Sequence, residues 1–368
     1  MTLGFLGWGT AVPDCILLQE EALNLACLLC AQTEEQLTWL PNLYNHTGIK
    51  TRRIVLDRNI IEDIFQKKNT SQSPFLPTGN LNDRGPTTAQ RMEHYQRLGT
   101  PLAIEASKRA IDDAKVEGEE CTHLITVTCT GFFAPGFDYH LIKNLNLNLG
   151  ISRTQIGFMG CHGSLNGLRV AHAFVKSQPS AKVILSSLEL CSLHYHYGWD
   201  PQKIVANSLF ADGAASVVLG APDPYCKKTW NLASSGSFIL PDSSNAMTWE
   251  IGDFGFDMTL AKQVPGLIQK YLKPWLESWL NQSGLKCKEI NSWALHPGGP
   301  RILSAIEEAL ELPPEASAFS RKILAAYGNM SSATLLFILK KMAESNAKRP
   351  CVALGFGPGL AVEAALFL

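Results

Sequence analysis

The sequence predicts an α/β protein built from two similar halves. Short runs of apolar, β-forming residues alternate with longer runs of helical spacing, which is the pattern of strands packed against helices. Three pairs of segments also recur at one constant distance along the chain. The 368 residues are enough for two or three units of about 150 residues each.

The order of elements can be followed from the amino terminus. Residues 19–40 have apolar side chains at helical spacing with one break, and residues 100–114 predict a further helix. Between them, residues 66–90 are polar and rich in Pro, Asn, Gly and Thr, which predicts a surface segment. Strands are predicted in the apolar runs 123–129, 182–188 and 214–219.

The repeat has the order strand, small-residue turn, helix, strand. Its matching segments start at residues 123 and 291, 160 and 328, and 182 and 350, and each difference is 168. Identity between the copies is low, so chance similarity between generic α/β pieces is the alternative. A duplication predicts halves at 1–225 and 226–368.

The same offset sets Cys161 opposite Asn329, each at the start of a helix in its own half. A pseudo-twofold axis would bring these helix starts together, and ligand sites commonly form where such halves meet.

Charge and cysteine content exclude several function classes. The net charge of −1 and a pI near 6.8 do not favour nucleic acid or an anionic membrane as partner. No run of about 18 apolar residues occurs, and the first residues do not resemble a signal peptide, so we expect a cytoplasmic protein. Ten cysteines are scattered along the chain, and Cys27 and Cys30 have no second CxxC pair, which argues against zinc and for free thiols.

Cys161 lies between glycines, just before a helical run at 164–176. It could be a small buried residue in a tight turn or a nucleophile. A helix start offers unpaired N–H groups and a positive dipole end, both of which favour a thiolate and lower the thiol pKa from about 8.5.

His296 and Asn329 could complete a site around that thiol. His296 ends an apolar strand and precedes Pro-Gly-Gly-Pro, while Asn329 precedes another small-residue turn. Each could simply cap its element. Together with Cys161 they suit acyl transfer, since the imidazole can pair with the thiolate, and imidazole and amide can bind a developing enolate oxygen.

Several motifs resemble those of the type III polyketide synthases, the chalcone and stilbene synthase family, and of its bacterial members in particular. They occur in family order and cover most of the chain from about residue 120 to the end. The motifs are residues 128–135 (TCTGFFAP), 209–215 (LFADGAA), 247–252 (MTWEIG), 295–300 (LHPGGP), 327–332 (YGNMSS) and 355–360 (GFGPGL).

The resemblance implies a thiolase-like αβαβα five-layered fold and a homodimer. It implies that Cys161 takes a starter from a coenzyme A thioester, and that His296 and Asn329 promote malonyl-CoA decarboxylation and condensation. The poly-β-keto chain would then cyclise to a pyrone, resorcinol or chalcone-like product, with no permanently bound cofactor and no metal.

The resemblance also assigns the walls of the substrate site. Phe210 and Phe256 correspond to gatekeeper phenylalanines between the coenzyme A tunnel and the cavity. Further substrate contacts are expected at Cys129, Cys191, His194, Gly298, Gly299 and Ser331. Coenzyme A phosphates could meet Lys50, Arg52 and Arg53, although these cations could also form a solvated surface and an acyl carrier protein could deliver the starter.

Other interpretations stay open at this stage. One is an initiating ketoacyl synthase that performs a single condensation in fatty-acid synthesis, and another is a non-catalytic homologue of condensing enzymes. His162 could tune the thiolate or form a local hydrogen bond. His194 and His196 resemble a metal-binding pair, or belong to the cavity wall.

Overall fold

The computed structural model describes residues 2–80, 82–222 and 230–368. The predicted boundary between residues 225 and 226, and the thiol of Cys226, lie outside the described residues. Within the described ranges the strands are β1 (Leu3–Ala11), β2 (Cys15–Leu18), β3 (Thr51–Ile54), β4 (His123–Thr128), β5 (Ser152–Gly157), β6 (Val183–Leu190), β7 (Asp212–Gly220), β8 (Asn231–Ile239), β9 (Met247–Gly252), β10 (Gly255–Leu260), β11 (Ser292–Leu295), β12 (Cys351–Gly357) and β13 (Ala361–Phe367). The helices are α1 (Gln19–Leu29), α2 (Glu34–Asn45), α3 (Arg58–Gln66), α4 (Thr88–Ala114), α5 (Phe137–Asn144), α6 (Gly163–Ser177), α7 (Pro201–Leu209), α8 (Val264–Asn281), α9 (Pro300–Leu310), α10 (Ala318–Tyr327) and α11 (Thr334–Glu344).

The central sheet has the strand order β11-β12-β13-β8-β1-β7-β6-β4-β5. Its midpoint is the short antiparallel pairing of β1 with β8 through Leu3 and Leu232. On either side the arrangement is the same: an antiparallel strand (β7 or β13) leads to a parallel pair (β6 with β4, or β12 with β11). The sheet therefore consists of two equivalent halves joined at their centre.

Helices cover both halves in five layers. In β6, Ile184 faces one side and packs in a core with α4, while Val183 faces the other side and packs with α6 and α11. In β12, Ala353 joins the same α6 and α11 core, and Val352 packs under α8 and α9. The order is therefore α4, first half-sheet, α6 with α11, second half-sheet, α8 with α9. This confirms the αβαβα arrangement.

The duplication is visible in the strands and at the two central helices. β6 begins at Val183 and β12 at Cys351, and 351 − 183 = 168. The Ser164 hydroxyl in the first turn of α6 donates to the Ser332 carbonyl just before α11, at 2.5 Å, and these two serines are also 168 residues apart. The two helix starts meet, as the repeat predicts.

Two local predictions need correction. The helix predicted at 100–114 begins earlier, at Thr88, because Thr87 and Gln90 form a capping box and the helix continues through Pro101. Thr100-Pro101 has the pattern of a cap followed by Pro at the first helical position, which obscures the true start. The break predicted in the run at 19–40 is confirmed, since the Thr33 side chain caps α2, but the second helix continues beyond residue 40 to Asn45. Residues 67–87 form the connection from α3 to α4, as predicted, although Phe75 is buried.

Candidate active site

The Cys161 turn is a short 3-10 helix, Gly160–His162, that leads into α6. Gly160 has φ +80°, a conformation that L side chains rarely adopt, and a Cβ there would clash with the ring of Pro358. The turn is thus held against the end of β12. Cys161 keeps partial exposure, and it faces a cavity of about 360 Å³.

The thiol is not poised as a thiolate in the unliganded protein. Burial raises the pKa of Cys161 to about 12, and the charge of Glu189 adds to this, while hydrogen bonding by Ser331 and Asn329 acts in the opposite direction. The sequence predicts a lowered pKa from the helix start alone. Desolvation outweighs the dipole here because protein atoms surround most of the sulfur. A base must therefore take the thiol proton when substrate is bound.

Asn329 is fixed by its backbone and by its own side-chain oxygen. Its N–H donates to the Leu209 carbonyl and its carbonyl accepts from Ala211, each at 2.9 Å. Its Oδ1 accepts the N–H of Ser331 at 2.9 Å. The amide NH₂ group is thereby left to act as the donor within reach of the Cys161 sulfur.

His296 is buried, and neither ring nitrogen has a hydrogen-bond partner among the described residues. Its backbone N–H donates to the Leu354 carbonyl of β12 at 2.8 Å, which fixes the residue at the carboxyl end of β11. Burial, followed by the nearby His162, lowers the pKa of His296 to about 3, so the resting ring is neutral. Buried polar atoms are normally paired, and a ring with both nitrogens open is a feature of functional sites.

Sequence reasoning missed Glu189, which stabilises the wall beside Cys161. This buried carboxylate accepts from the Cys129 N–H at 3.0 Å, the Thr130 hydroxyl at 2.7 Å and the Ser332 hydroxyl. Burial raises its pKa. The available signal was a charged residue inside the apolar run of β6, since Glu is almost never fully buried without partners.

A second, larger cavity adjoins the first. Side chains that line both cavities are Cys191, Phe210, Trp249 and Met258. The larger cavity is also lined by polar and charged side chains such as Lys203 and Asp257, and by apolar residues of the N-terminal segment, namely Leu17, Leu25, Leu29, Ile54, Leu56, Ile61, Ile64 and Phe75. The site thus has a reaction chamber at Cys161 and an apolar extension.

The predicted wall residues take different positions. Cys129, Cys191, Phe210 and Ser331 line the Cys161 cavity. Phe256 is buried and stacks on His194 with ring centroids 4.2 Å apart. Met258, two residues further along β10, lines both cavities beside Phe210. Met258 therefore stands at the boundary between the two cavities, and Phe256, on the same face of β10, lines the larger one.

His194 lies in the cavity wall with both nitrogens engaged. Nδ1 accepts the N–H of Phe256 at 3.0 Å, so Nε2 carries the proton and donates to the Thr130 carbonyl at 2.7 Å. Burial lowers the pKa of His194 to about 3. No group of three or more His, Cys, Asp or Glu in the described ranges is arranged to hold a metal ion.

The three predicted phosphate-binding cations are not equivalent. Arg52 is buried, and its guanidinium donates to the carbonyls of Asn207, Ser208 and Phe210 at 2.6–2.9 Å, so it caps the C-terminus of α7 rather than facing a phosphate. Arg53 donates to the carbonyls of residues 13 and 14. Lys50 is exposed.

Gly298 and Gly299 connect β11 to α9. Gly299 has φ +148° and is the N-cap of α9, which begins at Pro300. The turn directly follows His296, and the Gly298 N–H donates to the His296 carbonyl at 3.0 Å. These glycines shape the backbone next to the imidazole.

Comparison with known proteins identifies the family. The profile of the chalcone and stilbene synthase N-terminal domain matches residues 3–224, and that of the C-terminal domain matches residues 231–368. The chain belongs to the chalcone and stilbene synthase family. Type III polyketide synthases of this family are condensing transferases that use coenzyme A thioesters and need no permanent cofactor, so this chain is an acyltransferase of that type.

Relatives extend over nearly the whole chain. An "alpha-pyrone synthesis polyketide synthase-like Pks18" from Mycobacterium tuberculosis is 31% identical over 98% of this chain and 90% of its own length. A 1,3,6,8-tetrahydroxynaphthalene synthase from Streptomyces peucetius is 30% identical over 96% of this chain and 90% of its own. The crystal structure of PKS-I from the brown alga Ectocarpus siliculosus superposes with a TM-score of 0.92 at 27% identity, covering 100% and 98% of the two chains. The thiolase-like fold is thereby confirmed.

The described part of the chain contains no helix that is both long and apolar enough to span a bilayer.

Proposed function

We propose that this protein loads an acyl starter on Cys161, extends it by decarboxylative condensation with malonyl-CoA, and cyclises the poly-β-keto product. The observation that carries the proposal is a thiol at the cavity with an oriented amide within hydrogen-bonding reach of its sulfur, and a buried imidazole without a described partner close to the neighbouring His162. His296 accepts the thiol proton, and both His296 and Asn329 donate hydrogen bonds to the enolate oxygen.

In loading, His296 accepts the thiol proton as the sulfur of Cys161 attacks the starter thioester carbonyl. The tetrahedral intermediate collapses with release of the coenzyme A thiolate, which takes the proton back from His296. The neutral resting imidazole suits this task because a base must be unprotonated before the reaction. The product is an acyl-Cys161 thioester and free coenzyme A.

In extension, the malonyl carboxylate leaves as CO₂ and its bonding electrons form an enolate on the thioester. Neutral N–H donors on Asn329 and His296 stabilise the enolate oxygen without repelling it. The enolate carbon attacks the acyl-Cys161 carbonyl, a C–C bond forms, and the Cys161 sulfur leaves. The chain, longer by two carbons, is then carried on coenzyme A and can be loaded again.

The apolar extension supports a starter with a long hydrocarbon chain. Its apolar lining includes Leu, Ile and Phe side chains, whereas a small starter would leave that surface empty. Burial of each methylene contributes about 0.8 kcal/mol, or about fourfold in affinity. We therefore expect starter KM to fall with chain length until the cavity is full.

A panel of saturated acyl-CoA starters from two to eighteen carbons, with malonyl-CoA, tests this. Ile61→Phe narrows the extension and should shift the preferred starter to shorter chains, while Ile61→Val is the matched control that should keep or lengthen the preference. A preference for acetyl-CoA or for aromatic starters, unchanged in Ile61→Phe, would contradict a hydrocarbon starter.

Product mass separates the proposal from the ketoacyl synthase alternative. Several condensations followed by loss of water or CO₂ on cyclisation indicate a pyrone or resorcinol, and the two relatives named above carry pyrone and naphthalene products in their names. A single linear β-keto product from every starter would favour the single-condensation enzyme. Release of CO₂ and acyl-Cys161 formation together would exclude the non-catalytic homologue.

A homodimer is supported by the edge of the sheet at β5. This strand ends the nine-stranded order, and the half-exposed Phe132 and Met159 lie beside it with Phe158, whose ring centroid is 5.6 Å from that of Phe132. A second copy would pair with the edge and cover these side chains. Light scattering of the purified protein should give twice the chain mass, and Met159→Glu should lower it.

A cytoplasmic location and delivery of the starter by coenzyme A or by a carrier protein stay predictions.

A further inference from the structure

A polar cluster that does not line the cavity follows Cys161 in the chain. It consists of the buried His162, Asn166 and Glu363 and the exposed Arg169, and we call it the His162 cluster. Glu363 of β13 is 3% exposed and accepts from Asn166 Nδ2 at 3.0 Å, Arg169 Nη1 at 2.6 Å and the Ser237 hydroxyl at 2.8 Å. None of these side chains has a role in the proposed reaction so far.

Only one orientation of the Asn166 amide is consistent with the hydrogen bonds in the cluster. A carboxylate paired with arginine accepts and does not donate, so the group of Asn166 that faces Glu363 must be its NH₂. Asn166 Oδ1 therefore faces His162 Nδ1, at 2.7 Å. Because that oxygen can only accept, Nδ1 must carry a proton. In the neutral ring, Nε2 then holds the lone pair.

The His162 ring fits a space that glycine provides. A Cβ on Gly357 of β12 would lie 2.5 Å from both Cδ2 and Nε2 of His162, and one on Gly355 would lie 3.0 Å from its Cβ. The same strand holds His296, whose N–H donates to the carbonyl of Leu354. His162 therefore sits between the nucleophile, to which it is bonded in sequence, and the strand that positions the imidazole.

The geometry points to His162 as a positioning residue: Glu363, acting through Asn166, locks its Nδ1–H tautomer, which holds the Cys161 turn against β12 and keeps a second cation away from His296. This inference rests on the proposed function. Two imidazoles so close oppose each other's protonation, and His162 indeed lowers the pKa of His296. His162 burial lowers its own pKa, which favours the neutral ring. A neutral His162 leaves His296 free to accept the Cys161 proton.

Imidazole ¹⁵N NMR of the full-length, ¹⁵N-histidine-labelled protein tests the lock directly. The signals of His162 are assigned by their loss in His162→Asn. In the wild type we expect a protonated Nδ1 and an unprotonated Nε2 at pH 7. Glu363→Gln is isosteric but can donate or accept, so Asn166 can turn over and we expect a mixture of tautomers. Ser237→Ala removes one bond to Glu363 but keeps the charged carboxylate, and it should retain the wild-type signals.

Kinetics add a readout that a purely structural role would not move. We expect Glu363→Gln and Asn166→Leu to lower kcat for condensation by about tenfold, within the hundredfold that a misplaced reacting group can cost, with starter KM unchanged. His162→Phe should lose as much, and His162→Asn should recover most of it because its amide can still donate to Asn166.

The outcomes separate this inference from the proposed function. Wild-type tautomer signals in both Glu363→Gln and Asn166→Leu would overturn the lock, as would a changed tautomer with unchanged kcat. Equal loss in His162→Phe and His162→Asn would overturn the positioning role. Failure of the wild type to condense would instead overturn the proposed function, while the NMR result would still decide the tautomer.

Discussion

Thr128 and His296 occupy equivalent positions in the two halves, since 296 − 128 = 168, and both are 1% exposed. Thr128 ends β4 and its hydroxyl pairs with the Tyr95 hydroxyl at 2.7 Å. His296 follows β11 and both of its ring nitrogens are without partners in the described residues. The same backbone position is thus a satisfied core contact in one half and an open polar group in the other. The duplication gives both halves the same backbone, and the hydrogen bonding of the side chain distinguishes the structural position from the candidate functional one.

The helix starts differ in the same way. The first half presents a thiol at Cys161, and the second presents an amide at Asn329, whose oxygen is already occupied by Ser331. In the proposed reaction the nucleophile therefore comes from one half and the charge-stabilising donors come from the other. A mutation in one half should therefore abolish the reaction assigned to that half and leave the reaction assigned to the other.

Cys161→Ala should have the largest effect. No acyl group should be transferred to the protein, because among the described residues Cys161 is the cavity thiol that both Asn329 and Ser331 hydrogen-bond. Intact-protein mass spectrometry after incubation with an acyl-CoA starter measures the adduct. Cys191→Ala, at the same cavity, is the matched control and should still be acylated. An adduct on Cys161→Ala would move the nucleophile elsewhere.

The pair Thr128→Val and His296→Leu should change stability and activity in opposite ways. Thr128→Val removes a buried hydrogen bond and should cost about 1 kcal/mol of unfolding free energy with a small loss of activity. His296→Leu removes two unpaired buried nitrogens, so it should keep or raise stability while abolishing condensation. Urea unfolding and product assays measure both. Destabilisation by His296→Leu with retained activity would refute the comparison.

The stability of the protein should also depend on pH through its buried histidines. Burial holds the pKa of His296 and His194 at about 3, and that of His196 at about 4, whereas the unfolded chain has about 6.5. The unfolded state therefore binds more protons below pH 6.5, and stability falls as pH falls, by up to about 1.4 kcal/mol per pH unit for each histidine.

Asp212 acts in the opposite direction, because burial raises its pKa to about 6 and the folded state then binds its proton first. The decline should be steepest between about pH 6 and 5, where the unfolded histidines are mostly protonated and the folded ones are still neutral. His296→Gln should flatten it by removing one titrating group without removing a hydrogen bond. An equal slope in wild type and His296→Gln would show that His296 does not titrate on unfolding.

Much of the fold and the site centre could be predicted from the sequence because they depend on periodic features. The 168-residue offset and the small-residue turns locate Cys161 and Asn329, whose helix starts the structure brings together. The start of α4 could not be located, since a local Thr-Pro signal competes with the capping box at Thr87.

Side-chain direction and burial limited the rest. Arginine commonly binds phosphate, but the side chain of Arg52 points inwards from β3 and caps the C-terminus of α7. Phe256 and Met258 lie on the same face of β10, and it is Met258 that lines both cavities, which the motif alone does not reveal. The pKa of the Cys161 thiol is raised because the folded protein desolvates the sulfur, and no short motif reveals that desolvation.

Malonyl-CoA decarboxylation, measured as ¹⁴CO₂ release alongside acyl loading, tests the division of labour between the halves most directly. Asn329→Ala should still form the acyl-Cys161 adduct but lose about 10²-fold or more in CO₂ release, as expected for loss of an oxyanion donor. Cys161→Ala should lose the adduct and still release CO₂. If Asn329→Ala released CO₂ at the wild-type rate, or if both variants lost both reactions together, the assignment of nucleophile and enolate stabiliser to separate halves would be wrong.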